Sequence, residues 1–225
     1  DPFETMLDIP LLVRVNGDSN EPCNACFCWD PGLGSYILSF APSHLQNNGC
    51  FNAAYATIVS HEFGHFVQRQ LGFSSNDSVK EGFADAASLL HHDTDIYSQN
   101  WRIVTLSPPV YAHERDYRPG QPARSKKYPC YGSNYHECGK VLAGLWCDIR
   151  ANMIAELGDP AAAKEYVSQL FVDWAQITNG GANSNAAHSL TITEILIGAD
   201  DDGDLSNGVP HFYSLCSAGG PHRLS

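Results

Sequence analysis

The segment Tyr55-Ala56-Thr57-Ile58-Val59-Ser60-His61-Glu62-Phe63-Gly64-His65-Phe66-Val67-Gln68-Arg69-Gln70-Leu71-Gly72 carries the strongest structural signal in the chain. Tyr55, Ile58, Val59, Phe63, Phe66 and Val67 recur at helical spacing, and Gly72 is a stop beyond the last turn. On this helix His61 and His65 lie four residues apart and share a face, so both imidazoles reach one metal ion. Glu62 is displaced by about 100° around the axis from His61. Its carboxylate therefore suits a general base beside the ion's open position rather than a ligand. One further protein ligand is required, from a neighbouring element, with a coordination position left for water. The competing reading of the five-residue pattern is an amphipathic helix whose histidines complete a core.

A second helix is expected from about Val79 to Leu90, opened by Ser78-x-x-Glu81 as a capping box. Within it, Glu81-Gly82-Phe83-Ala84-Asp85 starts sixteen residues after His65, past a turn between Gly72 and Asp77 short enough for antiparallel packing. In that arrangement Glu81 presents its carboxylate to the ion. Asp85, one turn on, accepts a hydrogen bond from the far N–H of a ligand imidazole. Capping alone is the other use of Glu81, and the two uses compete for one carboxylate.

With these residues identified, the sequence resembles the gluzincin metallopeptidases, thermolysin-like and fungalysin-like, in which an HExxH helix is followed by a helix bearing ExxxD. The resemblance implies that His61, His65 and Glu81 bind one zinc ion, that Glu62 is the base and that Asp85 orients the first histidine. Asn24-Ala25 matches the family's Asn-Ala on an edge strand that pairs with extended peptide substrate. Tyr135-His136-Glu137-Cys138-Gly139 is similar to the family's V-H-x-x-G segment, which implies that His136 donates a hydrogen bond to the oxyanion. The family's substrate-carbonyl arginine corresponds to Arg115 or Arg118. Departures are specific. Lys80 stands where thermolysin has an Asn contacting the second histidine. No Tyr lies between His65 and Glu81, which leaves Tyr111, Tyr131 or Tyr135 as a substitute, or no substitute at all. Tyr131 occupies the place of the Asp that orients the oxyanion histidine, so the partner of His136 is unassigned. The resemblance spans Asn24 to Ile149.

The rest of the chain reads as follows. Strands are expected at Leu11-Leu12-Val13-Arg14-Val15, ended by Asn16-Gly17, and at Tyr36-Ile37-Leu38-Ser39-Phe40, ended by Ala41-Pro42. Residues 97–135 form a long irregular stretch rich in Pro, Arg and Tyr. A third helix carries Val141, Leu142, Leu145, Trp146, Ile149, Met153 and Ile154 and stops at Gly158. A fourth opens with Asp159 as N-cap and Pro160 at its first position and stops near Asn179-Gly180. A short fifth runs through about residues 186–196. The expected architecture is α+β: a small strand-rich lobe with the active-site helix (about residues 1–72), then a mainly helical lobe (73–225). By resemblance this is a single two-lobed catalytic unit of the zincin type, with the active-site helix between the lobes.

The acidic loop offers Asp200, Asp202 and Asp204 at alternate positions with Gly203 between. It is similar to the first half of an EF-hand-type calcium loop, although His211 stands where the bidentate Glu belongs. A solvated turn is the other reading. His91-His92 with Asp93 and Asp95 is either a further metal site or a helix end whose cations complement the dipole.

The 225 residues are 43% hydrophobic and 17% charged, enough for a core and far from disorder. Twenty-five acidic against 13 basic residues give a formal charge of −12. That excludes binding to a phosphate backbone or an anionic membrane surface, and no apolar run is long enough to span a bilayer. Eight cysteines point to disulfides in an oxidising compartment, hence a secreted, extracellular or periplasmic protein. A structural metal held by Cys23, Cys26, Cys28 and Cys50 is the alternative. Cys138 and Cys147 lie on one helix too far apart to bridge. Asp1-Pro2-Phe3-Glu4 lacks a basic or hydrophobic leader, so any signal or pro-segment is expected to have been removed. Asn76-Asp77-Ser78 is a glycosylation sequon.

The expected function is that of a monomeric zinc-dependent endopeptidase acting on a protein or peptide. The alternatives are a non-catalytic zinc-containing binding or adhesion module and a peptidase restricted to glycosylated or cell-wall peptides. A structural zinc site closes with four protein ligands, whereas this pattern supplies three and a base.

Overall fold

The computed structural model describes residues 10–16, 22–45, 49–72, 77–106, 109–112, 114–130, 134–178 and 190–224. Strands β1 (Leu12–Val15), β2 (Ala25–Asp30) and β3 (Ser35–Phe40) form one sheet in the order β1-β3-β2, with β1 parallel and β2 antiparallel to β3. β3 is central because Ile37, Leu38 and Phe40 are buried, whereas Leu12, Val13 and Val15 of β1 are exposed. β2 is thus an edge strand. β4 (Gly49–Cys50) follows, and helix α1 (Ala56–Gln70) then leads into α2 (Asp77–His92).

The stretch expected to be irregular contains four short strands: β5 (Ile96–Tyr97), β6 (Arg102–Leu106), β7 (Pro109–Ala112) and β8 (Arg115–Asp116). β6 pairs with both β4 and β7, and β5 pairs with β8. Strands therefore lie on both sides of residue 72, and β4 joins a sheet with residues more than fifty positions away. Pairings this short leave no period-two pattern to read.

The helical part follows its local signals. α3 (Tyr135–Leu157) is capped by the Asn134 side chain, which accepts from the Glu137 N–H, and ends at Gly158 with φ 64°. α4 (Pro160–Ile177) is capped by Asp159, whose carboxylate accepts from the Ala161 and Ala162 N–H groups. α5 covers Thr191–Ala199, three residues later than its expected end, and residues 186–189 lie outside the described residues. α6 (Phe212–His222) has no counterpart in the sequence reading. Gly219, Gly220 and Pro221 in its last turns are poor helix formers, and tertiary contact holds it. Leu215 and Ala218 are buried, and the fully buried His222 places Nε2 2.8 Å from Asp148 Oδ2 and Nδ1 2.8 Å from the Lys126 carbonyl.

The fold is mixed α+β. Its core falls into two clusters. The larger gathers α2 to α6 around Trp146, Phe171 and Trp174. The smaller gathers Leu38, Phe40, Ile58, Tyr97, Trp101 and Tyr117. α1 runs between them, with Ile58 in the smaller cluster and Val67 and Leu71 packed against the larger.

Disulfides join Cys23 to Cys50, Cys130 to Cys138 and Cys26 to Cys28, and Cys147 and Cys216 are free thiols. The cysteines considered for a structural metal are thus consumed in pairs, and Cys138 and Cys147 do not bridge. No helix among the described residues is long and apolar enough to cross a membrane.

Two glycine contacts bring the helices together. A Cβ at Gly64 would lie 3.0 Å from the Ala84 Cα, so α1 and α2 touch backbone to backbone. A Cβ at Gly82 would lie 2.4 Å from the Gly139 carbonyl oxygen, so α2 and α3 touch in the same way. Backbone cannot move aside as a flexible side chain can. Gly82→Ala is therefore expected to lower unfolding stability by about 2 kcal/mol or more in urea titrations. Gly198→Ala on α5, whose Cβ would make ordinary contacts from 3.4 Å, is expected to stay within about 1 kcal/mol of the parent.

Candidate metal centre

α1 delivers His61 and His65 to one face, and their rings lie edge to face with centroids 4.8 Å apart. α2, held against α1 at Gly64, brings Glu81 opposite them. Glu81 Oε2 is 3.2 Å from His61 Nε2, and Glu81 Oε1 is 3.4 Å from His65 Nε2. One ligand atom from each of the three residues lies within 4.8 Å of the others. Zinc bound tetrahedrally at about 2.1 Å sets its donors about 3.4 Å apart, close to the two imidazole–carboxylate separations.

The tautomers also fit a metal. Asp85 Oδ1 is 2.9 Å from His61 Nδ1, and a carboxylate only accepts, so Nδ1 carries a proton and Nε2 is the nitrogen turned towards Glu81. Gln68 Oε1 sits 3.1 Å from His65 Nδ1 with the same consequence, while the Gln68 amide N–H donates to the Lys80 carbonyl at 2.6 Å. Gln68 thus holds the second histidine, the contact that the resemblance left open at Lys80. Glu81 Oε2 is buried and accepts no well-directed hydrogen bond. Two imidazole nitrogens and a carboxylate facing one another form a donor set suited to a metal cation.

The electrostatics agree. Burial disfavours charge on His61, but Asp85 and Glu81 outweigh it and raise its pKa to about 10. Burial likewise opposes ionisation of Glu81, yet the three neighbouring imidazoles of His136, His61 and His65 hold it well below the usual carboxylate range. The cluster attracts positive charge.

Glu62, also buried, lies beside these ligands, and its Oε2 accepts the Phe27 N–H at 2.8 Å. That bond ties Glu62 to edge strand β2, whose first residue Ala25 and the preceding Asn24 also line the cleft. The cleft is open and about 580 Å³ in volume, with His61, Glu62, His65 and Glu81 among its walls.

Asp85 is wholly buried and takes hydrogen bonds from His61, from the Arg115 guanidinium and from the Tyr117 hydroxyl at 2.6 Å. Burial would raise its pKa, but Arg115 and His61 hold it below the ordinary value. Arg115 lines the cleft and places Nη2 3.1 Å from His136 Nδ1. Arg118 instead pairs with Asp116 on the exposed surface. His136 sits at the start of α3, with Nδ1 2.8 Å from Glu81 Oε2. Tyr135 packs on the His136 ring at 4.5 Å, Tyr131 lies outside the described residues, and Tyr111 lies on β7.

The other acidic groups separate. Asp200, Asp201 and Asp202 converge within 4.8 Å, whereas Asp204 Oδ1 accepts from the Ser206 N–H at 3.0 Å and caps a 3-10 turn, Leu205–Asn207. His92 Nε2 meets Ser60 Oγ at 2.8 Å, and Arg150 engages both Asp93 and Asp95. Those groups at the end of α2 join elements rather than forming a metal cluster among the described residues.

The sequence reading missed Gln68, Tyr117 and the Phe27 N–H. Gln68 carried a usable signal, since residues three apart share a helix face. Tyr117 and Phe27 reach the site only through packing of distant segments. No protein-family model matches the chain, and no curated protein is detectably similar to it.

Gln68→Leu leaves His65 free to turn. Zinc affinity, read by competition with a chromophoric chelator, is expected to fall about 10–100-fold, with far-UV circular dichroism unchanged.

Proposed function

We propose that the chain is a zinc-dependent endopeptidase, a single catalytic unit of the zincin type with α1 between two lobes. The observation that carries this reading is the convergence of His61, His65 and Glu81 on the wall of an open cleft, with Glu62 alongside and bound to an edge strand. A closed structural site would enlist a fourth protein ligand. Here the space beside the three donors opens to the cleft. The disulfides support an oxidising, extracellular setting.

A zinc ion held by these side chains would supply Lewis acidity, drawing the pKa of a coordinated water from about 16 towards ~7 and polarising the scissile carbonyl. The chain's own groups do the rest. An extended peptide pairs with the open edge of β2 near Ala25. Glu62 takes a proton from the attacking water as the water oxygen bonds to the carbonyl carbon. It then delivers that proton to the amide nitrogen as the C–N bond breaks. The Phe27 N–H fixes which way the Glu62 carboxylate faces. His136, held beside Arg115 and Glu81, donates towards the carbonyl oxygen as charge grows there. Asp85 and Gln68 hold the ligand imidazoles in place throughout.

Casein incubated with the zinc-loaded protein is expected to be cleaved, and a zinc chelator to stop the cleavage. Glu62→Gln is expected to keep stoichiometric zinc by elemental analysis while losing at least about 10³-fold in kcat/KM. Intact casein beside tightly held, non-exchanging zinc would instead identify a binding module. Unchanged turnover in Glu62→Gln would remove Glu62 from the chemistry.

A further inference from the structure

Beyond the zinc centre, α5 ends at Ala199 and hands the chain to Asp200-Asp201-Asp202-Gly203-Asp204. One carboxylate oxygen from each of Asp200, Asp201 and Asp202 lies within 4.8 Å of the others, and none of the ion pairs among the described residues engages them. Like charges this close repel, more strongly where water is excluded. Asp202 relieves part of its charge locally: Oδ1 accepts the Asp204 N–H at 2.9 Å and Oδ2 the Asn207 amide at 2.6 Å. Asp200 has no such relief. Both of its carboxylate oxygens are sealed from solvent, and neither accepts a hydrogen bond. A buried carboxylate is ordinarily satisfied by donors or by a metal, and here two more carboxylates stand beside it in place of donors.

We infer that Asp200, Asp201 and Asp202 form a calcium site, separate from the zinc centre. The donors are all hard oxygens, which suit calcium rather than zinc. The loop is irregular and two of its three carboxylates are exposed, which calcium's flexible coordination tolerates better than magnesium's octahedron does. Asp204 takes no part, because it is committed to capping the turn that follows. The site joins α5 to α6, and α6 ends at His222, buried against Asp148 of α3. Calcium here clamps the C-terminal helix onto the helical core and leaves the cleft untouched.

The test uses the full chain with zinc retained, followed by thermal unfolding and titration calorimetry. At about 10 mM CaCl2 the Tm is expected to rise by about 3–10 °C, as for a site with Kd of about 10⁻⁴–10⁻³ M. MgCl2 should give a smaller rise, and NaCl of equal ionic strength none. Asp200→Asn keeps the shape and removes the buried charge. Without calcium it is expected to melt at or above the parent's temperature. With calcium it should lose the upward shift and bind at least about 10-fold more weakly. Asp204→Asn should retain the shift. Equal responses to CaCl2 and NaCl, or a full calcium response in Asp200→Asn, would overturn the assignment.

Discussion

Asp85 is a carboxylate with no access to water, and an ion in that position is tolerated only when donors surround it. His61, Arg115 and Tyr117 provide them, from α1, β8 and the residue that follows β8. Each of those bonds has a consequence beyond satisfying a charge. The bond to His61 fixes which ring nitrogen faces the cleft. The bond to Arg115 draws a cation into the cleft wall, over the Tyr97 ring at 4.8 Å and within reach of His136. The candidate metal centre and His136 are therefore organised through one buried group.

That group can be buried only because three helices approach closely. Gly64 against Ala84 and Gly82 against Gly139 allow α1, α2 and α3 to meet through their backbones. Both glycines sit inside the chemical motifs, Gly64 between the ligand histidines and Gly82 directly after Glu81. Ligand geometry and helix packing are thus set by the same few residues. The cleft opens on the side where edge strand β2, rather than another helix, closes against Glu62.

Helices α1 to α4 were legible because their signals are local: an apolar stripe, the Asp159 cap of α4, a glycine beyond the end. Asp159, Pro160 and Gly158 act where the pattern put them. The two-residue strands β4, β5 and β8 were not legible, since their pairings depend on partners far along the chain, and an irregularity in register interrupts the alternation of β6 and β7. α6 was missed because burial of Leu215, Ala218 and His222 overrides weak propensity in its last turns. In the acidic loop, alternate spacing suggested Asp200, Asp202 and Asp204 as companions. The backbone instead gathers three consecutive aspartates and turns Asp204 to a capping role.

By itself the sequence determined a candidate ligand set with Glu62 beside it, because a helix converts the spacing of His61, Glu62 and His65 directly into direction. Its single acidic motif on the following helix named Glu81 and Asp85. Only tertiary structure decided how those groups are held: Gln68 on His65, Tyr117 on Asp85, the Phe27 N–H on Glu62, and Arg115 rather than Arg118 in the cleft. Neighbours one helical turn apart follow from a fixed rise and rotation. Partners brought from other segments follow from how buried charge is satisfied once the chain has closed around it.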